Sequence, residues 1–367
     1  MIKREHFQSI DALRFFAFLK VYLLHIPLDA KFPNFSLIKS GGGIGVSFFF
    51  VLSGFLISYL LFLEKANSNR IDLWNFYKRR AFRIWPLFFL MVLIVFFMPF
   101  DIKQDWGLHM VGGGYDFDWR YSFTFLENYK MIIEDQFPKT TPLSVFWSLC
   151  IEEHFYIVWG LLFYFMSTKN VLRMLVLSVV IAWLARGYES HFSHNLVVRT
   201  NDLLTNLDYF SCGGILAFVF VFYKDKLNRM LLKIGKLNLK FCLLAFVLIL
   251  IFHNQLIPDH TDVTFIFKPT IIALVFSLII CLFVSVESGL VIKSKFLNFL
   301  GVRSYGLYVF HIISIHMLYQ YCLLHKIRLD TALTVCIFML VSFSLTVAVS
   351  MLSYRFFEKP ILKLRRN

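Results

Sequence analysis

Charge is what this 367-residue sequence has least of: Asp, Glu, Lys and Arg together make up 16% of it, against 58% hydrophobic residues. A soluble domain of this length runs nearer a quarter charged and has no interior large enough for so much Phe and Leu. Cys-x-x-Cys pairs are also missing. Cys150, Cys212, Cys242, Cys281, Cys322 and Cys336 all lie in or beside apolar runs, which argues against a zinc or disulfide framework and leaves small packing residues as the expectation. The stretch Gly41-Gly42-Gly43-Ile44-Gly45 has no Lys-Ser/Thr ending, so it is no nucleotide loop. His191 and His194 have no further ligands around them, so no metal site is expected. No small-residue cleavage site follows the first apolar run, which therefore reads as a retained helix. With no internal repeat, no low-complexity linker and no expected appended soluble domain, residues 6–360 read as one membrane domain, followed by a basic tail at 361–367.

What is present is apolar sequence in runs of about twenty residues, the length that crosses roughly 30 Å of hydrocarbon as a helix. The 45 Phe residues suit lipid-facing helices. The runs predict an all-α, polytopic integral membrane protein with about ten transmembrane helices near 9–28, 44–63, 84–100, 146–167, 171–187, 207–223, 241–253, 263–286, 298–324 and 331–353. With the N-terminus inside, 23 Lys and Arg fall in inner segments and 9 in outer ones. Both termini are expected in the cytoplasm. The net charge of +14 then belongs to loops beside anionic headgroups and calls for no nucleic acid.

The informative residues are polar ones inside apolar runs, where an unpaired charge costs at least about 2.5–3.5 kcal/mol. Arg14 and His25 are eleven residues apart in the first span, which at 100° per residue returns to within about 20° of one face, some 16 Å further along. Asp11 is placed to pair with Arg14 one turn away, and Lys20 points elsewhere. The plain alternatives are an interhelical hydrogen bond for His25 and a snorkelling Arg14. Arg80 and Arg83 share a helix face where two guanidiniums chelate phosphate well, although anchoring at the membrane surface is the simpler role. Trp147-Ser148-Leu149-Cys150-Ile151-Glu152-Glu153-His154-Phe155-Tyr156 opens another span with two carboxylates and an imidazole. Neighbouring residues diverge by 100°, so one Glu serves a given site, and Glu152 shares a turn with Ser148 and Tyr156. From there it is expected to orient or deprotonate a group arriving from outside.

Taken in order, these pieces resemble the acyltransferase family 3 of membrane proteins. Arg14 to His25 is similar to that family's Arg/Lys, ten residues, His arrangement. Arg80-Ala81-Phe82-Arg83 followed by Ile84-Trp85-Pro86 fits its Arg-x-x-Arg element, and Trp147 to Tyr156 fits Trp-Ser-Leu-x-x-Glu-x-x-Phe-Tyr. Asp208 before Gly213-Gly214, Ser304-Tyr305-Gly306-Leu307-Tyr308 and Phe357-Glu358-Lys359-Pro360 are similar later signatures. Phe15 stands where the family often has Gly, and Cys150 where Ser is frequent. The hydrolase-like domain often fused to the family is expected to be missing here.

The resemblance implies acetyl-coenzyme A or another acyl-coenzyme A as cytoplasmic donor, no metal, and the inner membrane as location. The implied acceptor is a hydroxyl of an envelope glycan or lipid-linked glycan, such as O-antigen, capsule or exopolysaccharide. Arg80 and Arg83 become phosphate ligands of the donor, and Arg14, paired with Asp11, holds the donor or its thioester oxygen. His25 is the general base, with an acyl-histidine intermediate as a variant, and Glu152 orients His25 or the acceptor from the outer side. The competing class is a multi-pass transporter or flippase, which needs the same intramembrane polar residues but favours inverted repeats and broken helices that the sequence lacks.

Overall fold

A segment crossing lipid must pair every backbone N–H and C=O within itself, which makes a helix the only open-ended solution. The computed structural model describes residues 3–27, 43–110, 113–192, 196–258 and 261–364; the sequence assignments at Lys31, Lys39, Gly41, Gly42, His194, Arg365 and Arg366 lie outside the described residues. The long helices, numbered in chain order, are α1 (Ile10–His25), α2 (Ile44–Ser68), α3 (Leu73–Phe97), α4 (Trp147–Phe165) and α5 (Thr168–Phe192). They continue with α6 (Leu207–Phe222), α7 (Lys236–Leu256), α8 (Asp262–Val284), α9 (Ser304–Leu324) and α10 (Ala332–Ser353). By length and composition, 8 of the described helical segments are able to cross a membrane. The chain is a multi-pass, all-α integral membrane protein.

The two long helices that fall short of that standard are α1, with 16 residues, and α4, which carries Glu152, Glu153 and His154. They hold two of the polar motifs; the third, Arg80 and Arg83, lies on α3. Elsewhere several expected boundaries move. The span expected at 84–100 starts at Leu73, because Asp72 caps the helix by accepting from the Asn75 N–H at 3.0 Å. Arg80 and Arg83 therefore share a helix face, as expected, two turns and more inside the helix. The span expected at 298–324 is interrupted: Lys295–Val302 ends at Arg303 and α9 begins at Ser304. Beyond α10, a π-helical stretch at Tyr354–Glu358 leads into Lys359–Leu364.

The centre of the bundle is the crossing of α2 and α6, where two glycines remove the side chains that would hold the backbones apart. A Cβ on Gly54 would lie 2.2 Å from the Phe210 carbonyl oxygen, and one on Gly213 would lie 2.2 Å from that of Val51. Around this contact a buried aromatic cluster forms, with Phe210 stacked on Phe155 at 4.0 Å between ring centroids. One ion pair is also buried in the bundle. Arg186 of α5 donates to both carboxylate oxygens of Asp208 on α6, at 3.1 and 2.7 Å, and to the carbonyls of Thr205 and Ile266. Thr270 of α8 also donates to Asp208, at 2.6 Å. A buried pair offsets its desolvation only when its remaining hydrogen-bonding capacity is used. Here it is used, and three helices are tied together by it.

Candidate active site

Helix α1 lies against α2, α9 and the helix Lys295–Val302, and this packing decides what its polar face meets. Arg14 points into a chamber whose walls also include Arg80 and Arg83 of α3, Ser53 of α2, Glu152 of α4 and Tyr308 of α9. Asp11 holds Arg14 at 3.0 Å, one turn back, with both side chains partly accessible. Arg80 lies 5.9 Å from the ring centres of Phe76 and Tyr156, within cation–π range. Its Nε is buried and meets no acceptor among the described residues. No carboxylate among them comes within ion-pair distance of Arg80 or Arg83. Converging guanidiniums of this kind have the charge and the geometry to bind an anion.

Glu152 accepts from Ser53 Oγ at 2.9 Å and from the Tyr156 hydroxyl at 3.0 Å. The neighbouring Glu153 turns away and accepts from Trp85 Nε1 at 2.9 Å, as the 100° divergence of adjacent helical residues requires. At another wall of the chamber Tyr308 and Ser148 share a hydrogen bond of 2.6 Å, and Tyr308 also donates to the Val145 carbonyl. Toward the start of α1 the same three arginines line a wider cavity of about 540 Å³, whose wall adds Arg4, His6 and Arg79 and the carboxylates of Glu5, Asp11 and Glu64, so that arginines outnumber carboxylates there. Wide mouth and narrow chamber thus meet at Arg14, Arg80 and Arg83.

The structure groups the sequence candidates differently from the arrangement expected of them. Arg14, Asp11, Arg80, Arg83 and Glu152 come together; Glu152 was expected to orient His25 or the acceptor from the outer side. Its bonds go instead to Ser53 and Tyr156, since α4 presents this residue to the α2–α3 side of the chamber. His25, at the far end of α1, has His311 of α9 as its ring neighbour, with Nδ1 and Nε2 3.3 Å apart. Lys20 lines a separate apolar groove with Phe16, Phe48, Leu250 and Phe276. Sequence reasoning missed His311, although an imidazole inside the apolar run 304–315 is the same signal that singled out His25. Tyr305 and Tyr308 were noted only as part of a signature, with no role attached. Among the described residues no group of three or more His, Cys, Asp or Glu is placed to hold a metal.

A family model described as an acyltransferase domain matches residues 7–355. The chain belongs to this acyltransferase family, the family 3 of membrane proteins. Its sequence is 28% identical to the peptidoglycan O-acetyltransferase OatA of Listeria monocytogenes, over 98% of this chain and 56% of that protein. It is 30% identical to the putative peptidoglycan O-acetyltransferase YrhL of Bacillus subtilis, over 96% of this chain and 54% of the relative. With the O-acetyltransferase OatA of Staphylococcus aureus the identity is 27%, over 99% and 58%. The chain thus spans little more than half the length of the curated relatives it matches. No solved structure matches it.

Proposed function

We propose that the protein is an O-acyltransferase of the bacterial inner membrane. It moves an acetyl or other short acyl group from cytoplasmic acyl-coenzyme A to a hydroxyl of an envelope glycan. The observation that carries this reading is the convergence of Arg14, Arg80 and Arg83 on a chamber with a wide mouth in which arginines outnumber carboxylates. A polyanionic, phosphate-bearing donor with a narrow thioester arm matches a basic mouth that leads into a narrow chamber. The names of the relatives favour acetyl as the group and peptidoglycan as one class of acceptor.

In this reading the charge asymmetry of the loops puts the mouth on the cytoplasmic side and His25 toward the opposite face. The mouth arginines hold the phosphates, and Arg14, kept in place by Asp11, holds the donor where its acyl arm enters the chamber. The acceptor hydroxyl loses its proton to His25 as its oxygen bonds to the thioester carbonyl carbon. The carbon–sulfur bond breaks, and the leaving thiolate takes up that proton, giving an ester and a free thiol. Glu152, fixed by Ser53 and Tyr156, balances the arginine charge and orients groups inside the chamber. Arg80→Ala and Arg83→Ala test the donor assignment. Each charge-assisted contact is worth about 1.5–3 kcal/mol, so each variant is expected to bind acyl-coenzyme A about tenfold or more weakly while keeping its fold. Unchanged donor affinity in both would reduce these arginines to helix anchors.

A further inference from the structure

His311 is fully buried on α9, at 0% exposure. A buried imidazole costs free energy unless its nitrogens are used, and a Phe or Leu would fill the same space without that cost. Its Nδ1 lies 2.5 Å from the Tyr308 carbonyl oxygen. A carbonyl only accepts, so Nδ1 carries the hydrogen and Nε2 keeps the lone pair. That lone pair faces His25 Nδ1 at 3.3 Å. His25 Nδ1 also lies 2.9 Å from the Val21 carbonyl oxygen. By the same rule it holds a hydrogen, and the neutral ring is the Nδ1–H tautomer with Nε2 as its basic atom. The rings meet at a tilt of 64° with centroids 5.0 Å apart, and Phe18 packs edge-on against His311 at 6.0 Å. Both orientations are therefore set by packing as well as by hydrogen bonds.

We propose that His311 is a positioning residue for His25. It selects the tautomer that presents Nε2 as a proton acceptor, and its lone pair meets the positive charge that His25 gains on accepting the proton. The Nδ1–H of the charged ring then has two acceptors, the Val21 carbonyl and His311 Nε2. The proton taken from the acceptor hydroxyl stays on His25 until it is passed to the leaving thiolate, and His311 remains neutral throughout. Among the described residues, three titratable side chains near the pair have partners of their own. His316 Nδ1 lies 3.1 Å from the Gly107 carbonyl, Tyr22 donates to the Met339 carbonyl at 2.7 Å, and Tyr308 bonds Ser148 and Val145. Lys20 of α1 lines the apolar groove. The inference rests on His25 being the base, and it adds what makes that imidazole a directed one.

Two measurements test it. In the wild-type protein with ¹⁵N-labelled histidine, reconstituted in lipid, the His25 and His311 signals are identified by their loss in His25→Gln and His311→Gln. Both neutral rings are expected to carry the proton on Nδ1; an Nε2-protonated His25 overturns the proposal whatever the activity. In the second, His311→Phe fills the space without an acceptor, and His311→Gln restores one near the position of Nε2. With donor binding unchanged, His311→Phe is expected to lower kcat about 10- to 100-fold, the value of a hydrogen bond to a charged group. The limb of the pH–rate profile set by the base moves to lower pH, and His311→Gln recovers part of the loss. A His311→Phe enzyme with wild-type kcat and pH profile refutes the proposal, as does a loss with no profile change and no rescue by Gln. If His25→Gln is inactive while His311→Phe is normal, only this inference falls; if His25→Gln is also normal, the base assignment falls with it.

Discussion

Replacing Gly54 by Ala places one methyl group where α2 meets α6, and the structure gives the consequence in numbers. The new Cβ would stand 2.2 Å from the Phe210 carbonyl oxygen and 2.7 Å from its Cα. Both are backbone atoms in a helix, so no side-chain rotation relieves the contact, and the helices must separate by about an ångström to regain van der Waals distance. Overpacking of this kind costs about 1–3 kcal/mol. Against it stands the gain of about 0.5–1 kcal/mol for exchanging Gly for Ala within a helix, so the clash wins. Gly187→Ala in α5 is the internal control, because its Cβ would meet only Ile266 Cδ1, at 3.5 Å. Thermal unfolding of the purified protein in one detergent should show Gly54→Ala melting below the wild type and Gly187→Ala at or above it. Acyl transfer should fall in Gly54→Ala as well, since Ser53, the partner of Glu152, is the adjacent residue. Equal melting temperatures for the two variants would refute the argument that close backbone contact holds the chamber wall in place.

Two further expectations address topology and pH. Reporters that work only in the cytoplasm should be active when fused after Asn367 or within 224–240, and silent within 101–140; an active fusion in 101–140 contradicts the charge-derived orientation. In the segment between α3 and α4, Glu127 is 1% exposed and accepts from Tyr115 at 2.5 Å and from Ser122. Burial pushes its carboxyl above the usual carboxylate range despite these bonds. The folded chain therefore holds a proton that the unfolded chain has released, and stability declines as pH rises from the ordinary carboxylate pKa to the raised one. Glu127→Gln should flatten the melting temperature over that window relative to wild type; identical slopes would show that Glu127 does not titrate there.

The helical, membrane-spanning architecture was legible because hydrocarbon imposes one length and one backbone solution on every span. The boundaries that moved did so for local reasons that hydropathy does not register, such as Asp72 capping α3 ahead of its apolar run and the interruption at Arg303. Polar residues inside apolar runs pointed to Arg14 and Glu152, and i, i+3 spacing to Arg80 and Arg83; these share one chamber. What periodicity within a single helix does not encode is the neighbour across the gap. The rotation of α4 that sends Glu152 to Ser53 and the meeting of His25 with His311 depend on packing between distant parts of the chain. Arg186 and Asp208 show the same limit, since they lie on different helices and only the fold makes them a pair.

Whether His25 accepts a proton during acyl transfer is decided by His25→Gln. Glutamine is polar and hydrogen-bonds, but takes no proton near neutral pH. Purified wild-type and His25→Gln proteins, reconstituted in lipid, would be given labelled acyl-coenzyme A and a glycan acceptor, with donor binding measured in parallel. His25→Gln is expected to bind the donor like the wild type and to form no acylated glycan, whereas near-normal turnover would rule His25 out as the base and move the search to Glu152.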